Sequence, residues 1–169
     1  MANDFTWEEI KNSVEYRWRK RQINTLLIVW GSVAVITFFF VCFMVGLKDL
    51  EYLGLGVLIW LGCIAFYGLL FGSFILFYFL KNRYLLKNYK NFNCHEVVLD
   101  NLSTSNIYTR SILYTVTIVE EGNQKQVVTN PYFSSSIFSE FTPEEFNNKR
   151  VVGLYDSSLE KFYIVKKVN

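Results

Sequence analysis

Charge is what this sequence withholds from its middle. From Thr25 to Leu47, and again from Tyr52 to Leu80, there is no Asp, Glu, Lys, Arg or His. Each stretch exceeds the ~20 apolar residues that cross the hydrocarbon core of a bilayer. The same absence excludes the usual ion or proton pathway, which needs ionisable groups facing a cavity. Within the two stretches little beyond Ser32, Thr37, Tyr67, Ser73, Cys42 and Cys63 is polar. Metal ligands are scarce as well: the single histidine, His95, sits beside Cys94, and no CxxC pair exists. Two of the three cysteines fall in the apolar stretches, which leaves neither a zinc ligand set nor a disulfide framework.

Catalytic motifs are missing too: there is no GxSxG, P-loop, GxGxxG or HExxH. Neighbours on a strand point to opposite faces, so Cys94 and His95 do not share a reaction centre there. The pair Glu144 and Glu145 is explained by the positive end of a helix beginning at Pro143. The sequence therefore carries no expectation of a catalytic, cofactor-binding or metal site, and none of an enzyme.

What is present is a hairpin with a basic frame. Only Lys48-Asp49-Leu50-Glu51 separates the two stretches, so they are predicted to run antiparallel. Lys11, Arg17, Arg19, Lys20 and Arg21 precede the first, and Lys81, Arg83, Lys87 and Lys90 come after the second without an acid among them. Lys and Arg flanking short membrane segments stay on the cytoplasmic side; both termini are expected inside and the tip outside. The first stretch is too long for a signal-peptide core and lies behind a polar segment, so it reads as a retained anchor. Residues 91–169 hold seven Lys and Arg against nine acids, which gives no basic face for nucleic acid.

Residues 1–24 are predicted to form an amphipathic interfacial helix. Thr6 and Glu9 make a capping box, and Trp7, Ile10, Val14 and Trp18 share one face. Trp7, Trp18, Arg17, Arg19, Lys20 and Arg21, with Lys81 and Arg83 on the far side of the hairpin, are the candidate lipid-interface residues. Packing of this segment on the protein's own module is the alternative. Residues 25–91 form the transmembrane hairpin and its basic extension. In it Gly62, Gly68 and Gly72 are candidate helix-packing positions, with Gly68 and Gly72 at small-xxx-small spacing; they serve either the hairpin itself or a homo-oligomer.

Residues 92–169 read as strands. Ile112, Tyr114, Val116 and Ile118 alternate with Thr115, Thr117 and Val119, the period of a sheet with one buried side. Gly122-Asn123 supplies a turn before Lys125 to Thr129. Thr142, Pro143 and Glu145 predict a short capped helix, with Phe141 and Phe146 as its staple. Strands at Arg150 to Tyr155 and Lys161 to Lys166 flank a turn at Asp156 to Leu159. The fold class expected is an α+β membrane protein, a transmembrane α-helical hairpin followed by a small, mostly antiparallel β-barrel-like cytoplasmic domain. In the loop Asn130 to Ser139, Tyr132, Phe133, Ile137 and Phe138 are unusually apolar for a connection. They form either a partner surface or a plug for the open end of the barrel.

The order of Tyr114-Thr-Val-Thr-Ile-Val119, Gly122, Val127-Val-Thr-Asn-Pro-Tyr-Phe133, Lys149-Arg-Val-Val-Gly-Leu-Tyr-Asp156 and Phe162-Tyr-Ile-Val165 resembles the DUF3592-like domains of bacterial membrane proteins. In those domains a pair of spans precedes a small β-module whose closing motif runs V, apolar, V, Y-D-P. Here Ser157-Ser158 replaces the end of that motif, its proline included. The resemblance implies the fold and a bacterial plasma-membrane location; it implies no activity. The function expected is that of a membrane-anchored accessory or regulatory protein whose β-module binds a partner protein, with membrane lipids as its other contacts. An immunity or protective protein acting through the hairpin is the alternative, and a small oligomeric channel a third.

Overall fold

In a computed structural model of the chain, which describes residues 4–46, 53–106, 111–120, 122–133, 146 and 148–168, three helices precede six strands. Helix α1 spans Trp7–Lys11, α2 Val14–Gly46 and α3 Leu53–Asn88, the last closed by a 3-10 turn at Tyr89–Asn91. The strands are β1 Asn93–Asn106, β2 Ser111–Glu120, β3 Asn123–Thr129, β4 Tyr132–Phe133, β5 Arg150–Asp156 and β6 Lys161–Lys167. The chain divides into two compact units, one of Gln22–Lys81 and one of Met1–Arg21 with Asn82–Asn169.

The unit Gln22–Lys81 is a helical hairpin. The indole N–H of Trp60 donates to the Ala34 carbonyl at 3.2 Å and to Thr37 Oγ1 at 3.1 Å; the Trp60 ring also meets Phe38 edge-on, with centroids 5.1 Å apart. At Gly68, a Cβ would stand 3.7 Å from the Trp30 indole. As the position on α2 rises from 30 to 37, its neighbour on α3 falls from 68 to 60, which is the antiparallel arrangement that the short connection requires. Both helices are long and apolar enough to cross a membrane, and no residue in the most apolar stretch of α2 is buried. Phe39 is 68% exposed and Leu69 76%.

The other unit is built on a closed five-stranded barrel. Its order is β1-β5-β6-β3-β2, with β2 returning to β1, and β4 extends the sheet beside the start of β2. Every pairing is antiparallel except β3 with β6, which are parallel and joined only through Val128↔Lys161 and Thr129↔Phe162. The alternation expected for β2 is observed: Tyr114, Val116 and Ile118 are buried while Thr117 and Val119 are exposed. β1 is longer than expected because it serves two neighbours, Asn93 to Val98 pairing with β5 and Leu99 to Asn106 with β2.

β5 and β6 are apolar on both faces, and both faces are covered. Leu154, Tyr163 and Val165 pack against Ile10, Leu85, Tyr89 and Phe92, while Phe162 and Ile164, alternate residues on a strand and therefore directed to its other face, are also buried. Gly153 makes this closeness tolerable: a Cβ there would approach the Tyr163 carbonyl oxygen to 2.6 Å and the Phe162 ring more closely still. The turn from β5 to β6 is tied by Asp156, whose Oδ1 accepts from the Ser158 and Leu159 N–H groups at 3.0 and 3.3 Å, and whose Oδ2 accepts from the Tyr84 hydroxyl at 2.9 Å.

The N-terminal segment follows the alternative, packing on the protein's own module. The capping box of Thr6 and Glu9 forms, but the helix stops at Lys11. Ser13 starts the next, its Oγ donating to the Ile10 carbonyl at 2.6 Å and accepting from the Tyr16 N–H at 3.2 Å. Residues 1–21 then group with the strands, because Ile10, Val14 and Trp18 give one buried stripe. The compact units divide after Arg21 and after Lys81, where the sequence reading places divisions after residues 24 and 91. The capped helix expected at Thr142 to Glu145 lies outside the described residues; Phe146 is described and buried.

Candidate functional site

Where β3 ends, the ladder is replaced by side chains. Thr129 Oγ1 accepts from the Tyr114 N–H at 3.1 Å and donates to the Asn130 carbonyl at 3.1 Å. Pro131 comes next, with no N–H to offer a ladder. The chain rejoins the sheet as β4, where Tyr132 pairs with Ile112 and Phe133 with Ser111. The root of the apolar loop is thus a two-residue strand, set off from β3 by a break.

A carboxylate from α2 fills that break. Glu15 Oε1 accepts from Asn130 Nδ2 at 2.9 Å and from Arg19 Nη2 at 2.5 Å; Glu15 Oε2 accepts from the Tyr132 hydroxyl at 2.5 Å. Glu15, Arg19, Asn130 and Tyr132 are all buried. Trp18 closes one side, its ring edge-on to Tyr132 with centroids 5.3 Å apart, and the Arg19 guanidinium lies 5.6 Å from the centre of the Tyr163 ring. Removing two charges from water is unfavourable unless each is paired and hydrogen-bonded. Glu15 meets that condition fully; Arg19 meets it in part, since its buried Nη1 has no hydrogen-bond partner among the described residues.

The cluster shifts titration around it. Burial first, and then the Glu15 charge, push the Tyr132 phenol well above its ordinary range. Burial likewise holds the Tyr163 phenol up, against the opposing pull of Arg19. Away from the cluster, burial lowers the His95 imidazole and raises the Cys94 thiol. A carboxylate holding three donors is occupied, so the chemistry this site performs is positional: it fixes where Asn130 and Tyr132 stand.

Of the residues singled out for partner binding, Tyr132 is fully buried and belongs to the core-plug alternative. Phe133 enters through its backbone pairing, and Ile137 and Phe138 lie outside the described residues. Of the lipid-interface candidates, Trp7 is 47% exposed with Lys11 Nζ 3.3 Å from its ring centre. Arg17, Lys20 and Arg83 are exposed, and Arg21 and Lys81 half-buried. Two are corrected: Trp18 at 5% and Arg19 at 2% exposure face the β-unit, drawn in by the Tyr132 ring and the Glu15 carboxylate. Among the packing glycines, Gly68 meets Trp30, whereas a Cβ at Gly62 or Gly72 would meet nothing within 4 Å among the described residues.

Glu15 and Asn130 were not anticipated. A signal for the first exists: Glu15 and Arg19 stand four apart on a helix, an ion-pair spacing, and border the apolar stripe Ile10, Val14 and Trp18. No such spacing points to Asn130, whose partner is 115 positions away. Comparison with protein-family models, curated proteins and solved structures yields no match.

Proposed function

We propose that this chain is a membrane-anchored accessory or regulatory protein of a bacterial plasma membrane, its β-unit binding a partner protein through the apolar segment that begins at Asn130. The helical hairpin is the anchor, both termini are cytoplasmic, and Trp7, Arg17, Lys20 and Arg83 meet lipid headgroups. The reading requires neither catalysis nor a cofactor. One observation carries it: Glu15 locks Asn130 and Tyr132 inside the fold, so the apolar segment leaves from a fixed root, and a preorganised root lowers the entropy lost on binding. Uncovered side chains along both long helices and the basic flanks support the anchor, and the DUF3592-like resemblance accords with it.

The test is photocrosslinking in native membranes, with a reactive residue at Phe138 in one protein and at Leu69 in another. A discrete protein adduct from Phe138 and none from Leu69 supports the reading. The reverse supports a protective protein acting through its hairpin, a reading favoured by the open surroundings of Gly62 and Gly72. Absence of any adduct from both positions rejects both.

A further inference from the structure

We infer that Arg83, Lys87 and Lys90 form a cationic stripe that binds the headgroups of anionic phospholipids, so that lipid charge holds the β-unit on the cytoplasmic leaflet. The inference rests on the proposed membrane anchoring and is independent of partner binding.

Two faces of one short segment carry it. Residues 82–91, the end of α3 and the 3-10 turn after it, belong to the β-unit. Asn82, Leu85 and Tyr89 are buried, and Leu85 and Tyr89 pack with Leu154, Tyr163 and Val165. Positions 83, 87 and 90, spaced by four and three, fall on the other side, and Arg83, Lys87 and Lys90 are exposed. The core contacts thus fix which way the segment is turned, and the three cations are presented together.

An ordinary solvated face mixes signs, as α1 does with Glu8, Glu9 and Lys11. Here the sign is uniform: no Asp or Glu occurs from Tyr52 to His95. The negative end of α3 favours Lys87 in its last turn, but it does not account for Arg83, which lies more than a turn before the end at Asn88. Like charges four apart repel along a helix, so Arg83 and Lys87 do not stabilise the segment by themselves. A surface of many anions relieves that repulsion.

Position along the chain selects the anion. Arg83 follows Leu80, the last residue of the second apolar stretch, by three positions. From Asn82 a helix rise of ~1.5 Å per residue carries Lys87 no more than about 8 Å farther, whatever the tilt. The headgroup layer is about 5–7 Å deep, and attraction to its charge persists over a Debye length of about 8 Å. Long Lys and Arg side chains also reach back toward phosphates. The stripe therefore stays within range of the bilayer surface where the chain leaves it.

The experiment places the full chain in nanodiscs of phosphatidylcholine alone or with on the order of 30% phosphatidylglycerol, which gives the leaflet a negative potential. Exposed amines are labelled with an uncharged acylating reagent, and the rate at each lysine is read by mass spectrometry. Lys87 and Lys90 should label at least about threefold more slowly in the anionic discs, and high salt should remove the difference. Lys125, held by Glu160 at 2.6 Å, is the reference and should label alike in both. Arg83→Gln removes one cation and leaves both lysines readable; it should lower the ratio at Lys87 by at least about half, with an unchanged rate at Lys125 reporting an intact fold. If that variant fails to fold, Lys87→Gln read at Lys90 replaces it. The inference is overturned if Lys87 and Lys90 label equally in the two discs, if Lys125 slows with them, or if the full ratio persists in the variant. Equal labelling would leave the stripe to an acidic protein surface. Co-elution of protein and discs checks the anchoring separately: a chain that does not enter the discs rejects the anchor and this inference with it, whereas a chain that enters and labels equally rejects the anionic-lipid site alone.

Discussion

Val14 and Trp18 are buried on one end of a helix that, a few turns later, leaves Ile36, Phe39 and Phe43 mostly uncovered. The two regions of α2 differ both in their residues and in what surrounds them. Near its start the helix carries a carboxylate and a guanidinium that are buried together with a tyrosine and an asparagine from the strands. Farther along it carries no charge, and most of its large apolar side chains are uncovered. A soluble helix buries an apolar stripe and exposes a polar face; the first region does this, with Arg17 and Lys20 outward. The second has no polar face to expose, as expected of a segment whose solvent is lipid. One continuous element therefore contributes side chains to two different kinds of environment, and substitutions in the two regions should behave differently.

The largest contrast is expected at Glu15. Glu15→Ala leaves Arg19 charged, buried and unpaired, together with the Tyr132 hydroxyl and the Asn130 amide. Breaking a buried ion pair from one side costs about 3–5 kcal/mol. Urea unfolding in detergent, monitored through the emission of Trp18, should show a midpoint lowered accordingly. The double change Glu15→Leu with Arg19→Met removes both charges and should recover most of that loss, because apolar replacements of a buried pair are often neutral or better. Equal losses in the single and double variants would show that the cluster's charges do not matter to stability.

Gly153→Ala comes next. The added methyl meets the Phe162 ring and the Tyr163 carbonyl, and overpacking of this kind typically costs about 1–3 kcal/mol. Gly153 also shows what was legible in the sequence. The runs Val151 to Tyr155 and Phe162 to Val165 lack the polar alternation of β2, and continuous apolar strands are buried on both faces. That pattern announces a second covering layer without saying what supplies it. The cover proves to be Ile10, Leu85, Tyr89 and Phe92, drawn from segments on either side of the hairpin. Periodicity within a segment reveals that a face is buried; which distant segment buries it depends on tertiary packing that the local pattern does not encode. For the same reason the turn before β3 and the capping box at Thr6 were readable, whereas the meeting of Glu15 with Asn130 was not.

Acid and alkali should separate the cluster from the rest of the β-unit. Tyr132 and Tyr163 hold their protons more tightly in the fold than an unfolded tyrosine, which ionises near pH 10. The folded state then binds more protons above that value, so stability is fully present below about pH 10 and declines as pH rises beyond it. Tyr132→Phe should flatten part of the alkaline decline in a series of urea titrations. His95 works in the opposite direction with a smaller effect, since it is only half-buried: burial lowers its affinity for a proton. Its contribution is present above about pH 6.5 and falls as the unfolded imidazole takes up its proton below that value. His95→Gln should reduce the acid slope and leave the alkaline one unchanged.

The smallest effect sharpens the comparison most. Leu69→Ala deletes a side chain that would be worth about 2–5 kcal/mol if it stood in a packed core. Leu69 is 76% exposed among the described residues, so in detergent the unfolding midpoint of the β-unit should move by no more than about 0.5 kcal/mol. The expectation for Leu85→Ala is the reverse. Leu85 is on the same helix and differs little in chemistry, but it is packed into the cluster with Ile10 and Tyr163, so its loss leaves a cavity and should fall in the core range. Measured side by side, the pair asks whether burial within the protein, and not apolarity along α3, sets the stability of the β-unit. A large loss at Leu69 would mean that a surface uncovered in the isolated chain is covered in the assembled protein, and would favour association through the hairpin over partner binding by the β-unit.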